Sequence, residues 1–413
     1  MRSSKSESEL SKKSLVSYSL LAFCLSFIGL PLYIYLPNYY ADNFGVSLQV
    51  IAIILLATRL FDTIQDPIFG IISDKLPHLK KKIICYFSPL LGISFLLLFH
   101  PLKIFSIEVW LVIFLITTYS FFSIIYINYQ SYAVSFSEDY HTKTKIISYR
   151  EFAFIFGIIF AAASPAIIFR YFSEVDSFLF IGIAFFTIIS AFALNFYFYA
   201  PQNTYKKESS GNLKAIFQIQ ILRKYFTIFF LNAVSSSIPA VLILFFVENV
   251  INAKNLVGLF LILYFSGLLI GVVLWTRLSK ILNNKVKTFV ISILFTVFIF
   301  IWCYFLGEGD VLFYAIICVL SGIGFGGDFA LSYSILTDLI QKHRLENNQT
   351  TIFGITNFII KISLTLSSSI LIYCIGAFEN DAVYQKQFIS FSYALLPIIF
   401  RVLAAFTLHK NFK

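Results

Sequence analysis

The sequence predicts an all-α membrane protein with twelve transmembrane helices in two six-helix bundles. Three observations predict it. Of the 413 residues 59% are apolar and only 13% charged, against about 45–50% and about 25% in a soluble domain. Apolar runs near the ~20 residues that a spanning helix needs recur almost end to end. Lys and Arg gather in alternate loops, the pattern of a chain that crosses a bilayer repeatedly.

The elements follow in order. Residues 1–14 are Ser/Lys-rich, have no apolar core and read as a cytoplasmic tail. The apolar run that follows is too long for a cleaved signal and has no small-residue cleavage site, so it is a retained helix. Helices are expected near 15–40, 47–72, 83–101, 108–135, 147–171 and 177–199, making an N-terminal bundle over 15–199. A polar cytoplasmic linker, 200–223, carries Lys206, Lys207 and Glu208. Six further helices near 225–248, 256–277, 286–306, 311–339, 350–376 and 388–408 make a C-terminal bundle over 224–409, followed by a cytoplasmic end at 410–413.

Orientation comes from charge. With the N-terminus in the cytoplasm, 24 Lys and Arg fall in cytoplasmic segments and four (Lys103, Arg170, Lys254 and Lys386) on the other side. Three more, Arg59, Lys361 and Arg401, lie inside helices. This bias predicts a multi-pass inner-membrane protein with both termini cytoplasmic. It also accounts for the formal charge of +10 without a nucleic-acid partner; the partners expected are the lipid bilayer and a small solute, with the chain acting as a monomer. The five cysteines are scattered through apolar runs with no CxxC pair, so neither disulfides nor a zinc site is expected. No P-loop, HExxH or GxSxG is present. ATP-driven pumping and hydrolytic chemistry are therefore not expected, and no cofactor is implied beyond a coupling ion.

The chemistry concentrates in helix two, Arg59-Leu-Phe-Asp62-Thr-Ile-Gln65-Asp66-Pro67-Ile-Phe-Gly70 through Asp74-Lys75. An ionised side chain at the bilayer centre costs about 2.5–3.5 kcal/mol even on the lenient insertion scale. Asp62 and Asp66 are spaced i,i+4 and project from one face. Such a pair forms an oxygen-rich site for a hard cation, or a proton site; alternatively Arg59 neutralises one of the two as a structural pair. Pro67 lacks an N–H and loosens the helix, which is tolerated where backbone lines a cavity. In helix eleven, Asn357-Phe-Ile-Ile-Lys361 sets a lysine too deep for a loop. It either snorkels to an interface or meets the acidic site or a solute oxygen. Asp328 is a further intramembrane acid, and with Arg59 and Asn357 it joins the candidate substrate or coupling residues. The preceding Gly322-Ile-Gly324-Phe-Gly326-Gly327 follows no strand, so it reads as helix packing rather than a dinucleotide loop. Gly70, Asp74 and Lys75 fit the G-x-x-x-D-[RK] signature of the cytoplasmic loop in major facilitators, where the aspartate pairs with a neighbouring helix end in one conformation and releases in the other.

Taken together, these segments resemble the glycoside–pentoside–hexuronide:cation symporter family, with a major facilitator fold. Arg59 through Pro67 is similar to its R-x-W-D-x-x-x-D-P. Asp139-Tyr140-His141 through Arg150, Tyr264 through Trp275, and Tyr333 through Asp338 with Asn357 and Lys361 are similar to its fourth loop and its eighth, tenth and eleventh helices. The resemblance implies cation carboxylates at Asp62 and Asp66, with Gln65 where relatives often carry Asn. It implies coupling or substrate roles for Lys361 and for Arg150, the arginine opening helix five. Melibiose-permease-like members use acids in helices one and four for sugar hydroxyls. Here Ser26 stands at the first position, and helix four has no acid after Glu108.

The expectation is a Na⁺- or H⁺-coupled carrier of a small sugar-like solute working by alternating access. Two alternatives stand beside it. One is transport of an anionic or amphipathic solute held by Lys361 and Arg150. The other is a non-transporting sensor or scaffold.

Overall fold

A computed structural model of the chain describes residues 12–29, 31–102, 104–133, 140–169, 171–200, 213–377 and 382–412. The expected tail up to Ser11 and most of the expected linker, 201–212, lie outside them. The elements are α1 (Lys12–Phe27), a π-helical turn Pro31–Tyr35 leading into α2 (Leu36–Phe44), α3 (Leu48–Asp74), α4 (Lys80–Phe99), α5 (Ile107–Tyr132), α6 (Tyr140–Ile168) and α7 (Glu174–Tyr199). Then follow α8 (Leu213–Gln218), α9 (Gln220–Asn249), α10 (Val257–Ile281), α11 (Lys285–Ile301), α12 (Val311–Gly327), a second π-helical turn Asp328–Ser332, α13 (Tyr333–Lys342), α14 (Gln349–Ala377) and α15 (Ala382–Asn411). Among the described residues there is no strand. Nine helical stretches there are long and apolar enough to cross a membrane. Their outer faces present Phe198, Phe298 and Leu312, each more than 60% exposed, a surface suited to hydrocarbon rather than water. The chain is an all-helical multi-pass membrane protein over its described residues.

Local chemistry sets the boundaries. Ser106 accepts a hydrogen bond from the Val109 N–H and Asn284 from the Lys287 N–H, capping α5 and α11. Glu174 and Asp176 sit in the first turn of α7, where the helix dipole favours negative charge. Gly45, at φ 68°, closes α2 in the left-handed conformation that glycine adopts at low cost.

The structure revises several sequence boundaries. The single helix expected over 15–40 is broken after Phe27, because Pro31 offers no N–H to the turn before it. The expected linker over 200–223 is helical from Leu213, since Ile216 buries completely and Phe217 packs on Phe226. Helix five starts at Tyr140, so Arg150 lies nearly three turns inside it rather than at its opening. The polar His141-Thr-Lys-Thr-Lys145 read as loop, yet a helix can extend past the hydrocarbon into the polar layer.

The chain divides into two compact units: Met1–Gln65 with Lys75–Ser209, and Asp66–Asp74 with Ser210–Lys413. The first unit has an aromatic core. Tyr39 and Tyr40 donate to the Phe99 and Leu98 carbonyls, both at 2.6 Å, tying α2 to α4. Phe178 stacks on Phe99 with ring centroids 4.4 Å apart. The second unit has a glycine seam. A Cβ on Gly267 or Gly271 would meet the Val319 or Ile323 carbonyl of α12 at 2.2 and 2.1 Å, and one on Gly322 would meet the Tyr264 carbonyl at 2.1 Å. The glycine run thus serves close packing of α10 on α12.

Candidate functional site

Asp62 and Asp66 both lie in α3, 6% and 0% exposed. Pro67 follows and leaves the Thr63 carbonyl without its α-helical donor. In the first unit, Asp62 accepts hydrogen bonds from Gln65 Nε2 at 2.8 Å and from Ser123 Oγ at 3.0 Å. Gln65 Oε1 in turn accepts from Ser120 Oγ at 2.8 Å. The result is a buried set of hard oxygen groups: a carboxylate, an amide carbonyl and two hydroxyls. Ser120 and Ser123 were not singled out in the sequence. Their spacing of three along α5 was the available signal, since it puts both on one face.

Asp66 belongs to the second unit, where the Lys361 ammonium stands 2.9 Å from its Oδ2. The Lys361 side chain is 23% exposed, so its stem reaches from a partly open position to a fully buried carboxylate. Asn357, one turn earlier in α14, is buried as well. Arg59 is half-buried one turn before Asp62.

α3 and α14 approach closely around this pair. A Cβ on Gly70 would lie 2.6 Å from the Thr351 Cα, and one on Gly354 would lie 2.6 Å from the Asp66 carbonyl oxygen. One turn beyond Gly70, Asp74 accepts from the backbone N–H groups of Thr350 and Thr351 at 2.9 and 2.7 Å. Its carboxylate therefore caps the N-terminus of α14 and meets the positive end of that helix dipole. Lys75, next in sequence, is exposed.

The remaining candidates sit elsewhere. In the first unit, Arg150 is buried and pairs with its neighbour Glu151, also buried. Glu151 gives no pairing signal in the sequence, because adjacent residues in a helix do not normally face each other. Asp328 lies in the second unit, bonded to Arg401 Nη2 at 2.6 Å and to Asn232 Nδ2 at 2.7 Å. Neither partner was foreseen, and an arginine inside the last helix was the signal for one of them. Among the described residues no group of three or more His, Cys, Asp and Glu could hold a metal ion, and the five cysteines are unbridged.

The family described as MFS/sugar transport protein matches residues 17–412. No curated protein matches the chain. Among solved structures, a bacterial homologue of the iron transporter ferroportin, in its outward-facing state, superposes with a TM-score of 0.72 at 15% identity, covering 97% of this chain and 98% of that one. The fucose:proton symporter of E. coli superposes with a TM-score of 0.69 at 13% identity, covering 95% and 99%. At such identities these likenesses speak to the fold alone.

Proposed function

The chain belongs to the MFS/sugar transport protein family, and from that premise we propose that it is a secondary active transporter carrying a small sugar-like solute together with Na⁺ or H⁺. The observation that carries this reading is the buried Asp66 carboxylate facing the Lys361 ammonium in a membrane-spanning region. An uncompensated charge there is costly, so the pair has a reason to exist. The cation carboxylates are Asp62 and Asp66, with Gln65 as a further oxygen ligand. Lys361 acts as a tethered cation that occupies Asp66 until the coupling ion displaces it. Cation and solute then bind with reciprocal coupling, and the loaded carrier changes state by alternating access. Asp74 on the α14 N-terminus is the contact that forms in one state and releases in the other, with Gly70 permitting the approach and Lys75 beside it.

The 24-to-4 charge bias supports an inner-membrane location with both termini cytoplasmic. The transporter works as a monomer without a cofactor. The Arg150 pair favours a neutral solute over an anionic one, since Glu151 already meets its charge.

A thermal-shift screen of the purified protein against neutral sugars, organic acids and nucleosides, each with and without Na⁺ and across pH, tests this. Expected is a rise in Tm with a neutral sugar that grows when Na⁺ or protons are supplied. Stabilisation by organic acids alone, independent of either cation, would discard the reading.

A further inference from the structure

The Asp328–Arg401–Asn232 cluster is not used by the transport cycle just described. Each residue lies at least ten residues from either end of a long helical stretch. Asp328 follows Val311 by 17 residues and precedes Lys342 by 14, about 20–25 Å from either end at ~1.5 Å per residue. Asn232 follows the start of α9 by 12 residues, and Arg401 precedes the end of α15 by 10. Both chain elements that supply the charges depart from regular α-helical hydrogen bonding at this level without breaking. The π-helical turn Asp328–Ser332 separates α12 from α13, and Pro397 lies inside α15 one turn before Arg401. π-helical turns are frequent at functional sites.

The hydrogen bonding of the cluster is incomplete. Arg401, 2% exposed, gives Nη2 to Asp328, and Asn232 gives Nδ2 to the same carboxylate. The Nε and Nη1 of Arg401 and the Oδ1 of Asn232 are buried with no hydrogen-bond partner among the described residues. A fold that needed only a packed interior would not keep three unsatisfied polar atoms in one place. These atoms specify a ligand: the guanidinium donates, and the amide oxygen accepts. The carboxylate cancels the guanidinium charge, which disfavours both a free anion and a free cation. A hydroxyl group, acceptor and donor at once, matches the set. Phe325, whose ring lies 4.0 Å from the guanidinium carbon, adds an apolar face.

We propose that Asp328, Arg401 and Asn232 form a polar subsite in the second unit that binds a hydroxyl of a neutral saccharide. The proposal rests on the reading of the chain as a carrier of a sugar-like solute. Isothermal calorimetry on the full-length protein in detergent tests it, with a panel of neutral mono- and disaccharides and the monodeoxy analogues of the tightest binder. The wild type is compared with Asn232→Ala, which keeps the ion pair, and with Asp328→Asn. Expected is ~10-fold weaker saccharide binding in each variant, a loss of about 1.4 kcal/mol. One deoxy analogue is expected to lose ~10-fold in the wild type and little in Asn232→Ala, the non-additivity that marks a direct contact. A purely structural pair would not move that second readout. A wild type that binds, with every deoxy penalty unchanged in the variants, overturns the subsite and leaves the transport reading standing. A wild type that binds none of the panel overturns both. If Asp328→Asn is unstable by size exclusion, Asn232→Ala decides.

Discussion

The Lys361 ammonium lies 2.9 Å from the Asp66 carboxylate, a partly open cation on a fully buried anion. If Lys361 holds the place of the coupling ion, Asp66 is where transport acquires its driving force. Asp66→Asn is therefore expected to abolish cation-driven solute accumulation in proteoliposomes while membrane insertion and monodispersity persist. Normal accumulation by this variant would remove the basis for a cation site in α3.

The complementary substitution, Lys361→Gln, removes the tethered competitor. Na⁺ is then expected to stabilise the purified protein at concentrations ~10-fold lower than in the wild type, equivalent to about 1.4 kcal/mol of relieved competition. The measurement is Tm against Na⁺ concentration. An unchanged midpoint would show that Lys361 does not compete for the carboxylate. The basal Tm is expected to fall, because removing one member of a buried ion pair costs the stabilisation it gave the other.

A third expectation concerns the cap on α14. Asp74 takes both the Thr350 and Thr351 N–H groups, so Asp74→Ala should cost about 0.5–2 kcal/mol, with Asp74→Asn between it and the wild type. Gly70→Ala brings a Cβ to 2.6 Å from the Thr351 Cα, and overpacking of this kind costs about 1–3 kcal/mol. Thermal unfolding in detergent reads both. If Gly70→Ala and Asp74→Ala each unfold with the wild type, the α3–α14 contact is not a lock.

Much of this was readable in the sequence, and for identifiable reasons. Spans announce themselves by composition, and Asp62, Asp66 and Lys361 announce themselves because ionised residues are rare in hydrocarbon. What could not be read was pairing between helices distant in the chain. Nothing in the sequence joins Asp328 to Arg401 across 73 positions or Asn232 to Asp328 across 96. Ser120 and Ser123 look like any hydroxyls in a spanning helix until α3 is laid against them. Helix ends in the polar layer were also opaque. The composition that marks a loop also suits a helix emerging from the bilayer, as in α6 from Tyr140 and α8 from Leu213.

The glycine seam gives an internal comparison. Gly271 faces the Ile323 carbonyl, which a Cβ would approach at 2.1 Å, whereas Gly258 has nothing within 4 Å. Both occupy α10, so their helix propensity gains on mutation to Ala are similar, at most about 1 kcal/mol. Gly258→Ala should leave Tm unchanged or raised, and Gly271→Ala should lower it. Equal responses would mean that α10 and α12 are not in close contact.

The last expectation separates the Asp328–Arg401 pair from its parts. Arg401→Leu leaves a carboxylate buried at mid-membrane depth with the Asn232 amide as its remaining described donor, and removing one partner of such a pair costs about 3–5 kcal/mol. Asp328→Leu strands the guanidinium in the same way. The double substitution removes both charges, and an apolar pair of similar bulk is often neutral relative to the ion pair it replaces. The double variant is thus expected to unfold at a higher temperature than either single variant, by scanning fluorimetry on detergent-purified protein. If it is instead as unstable as the sum of the two, the residues do not act on one another. If it is stable yet has lost saccharide binding, the charges are retained for the ligand rather than for the fold.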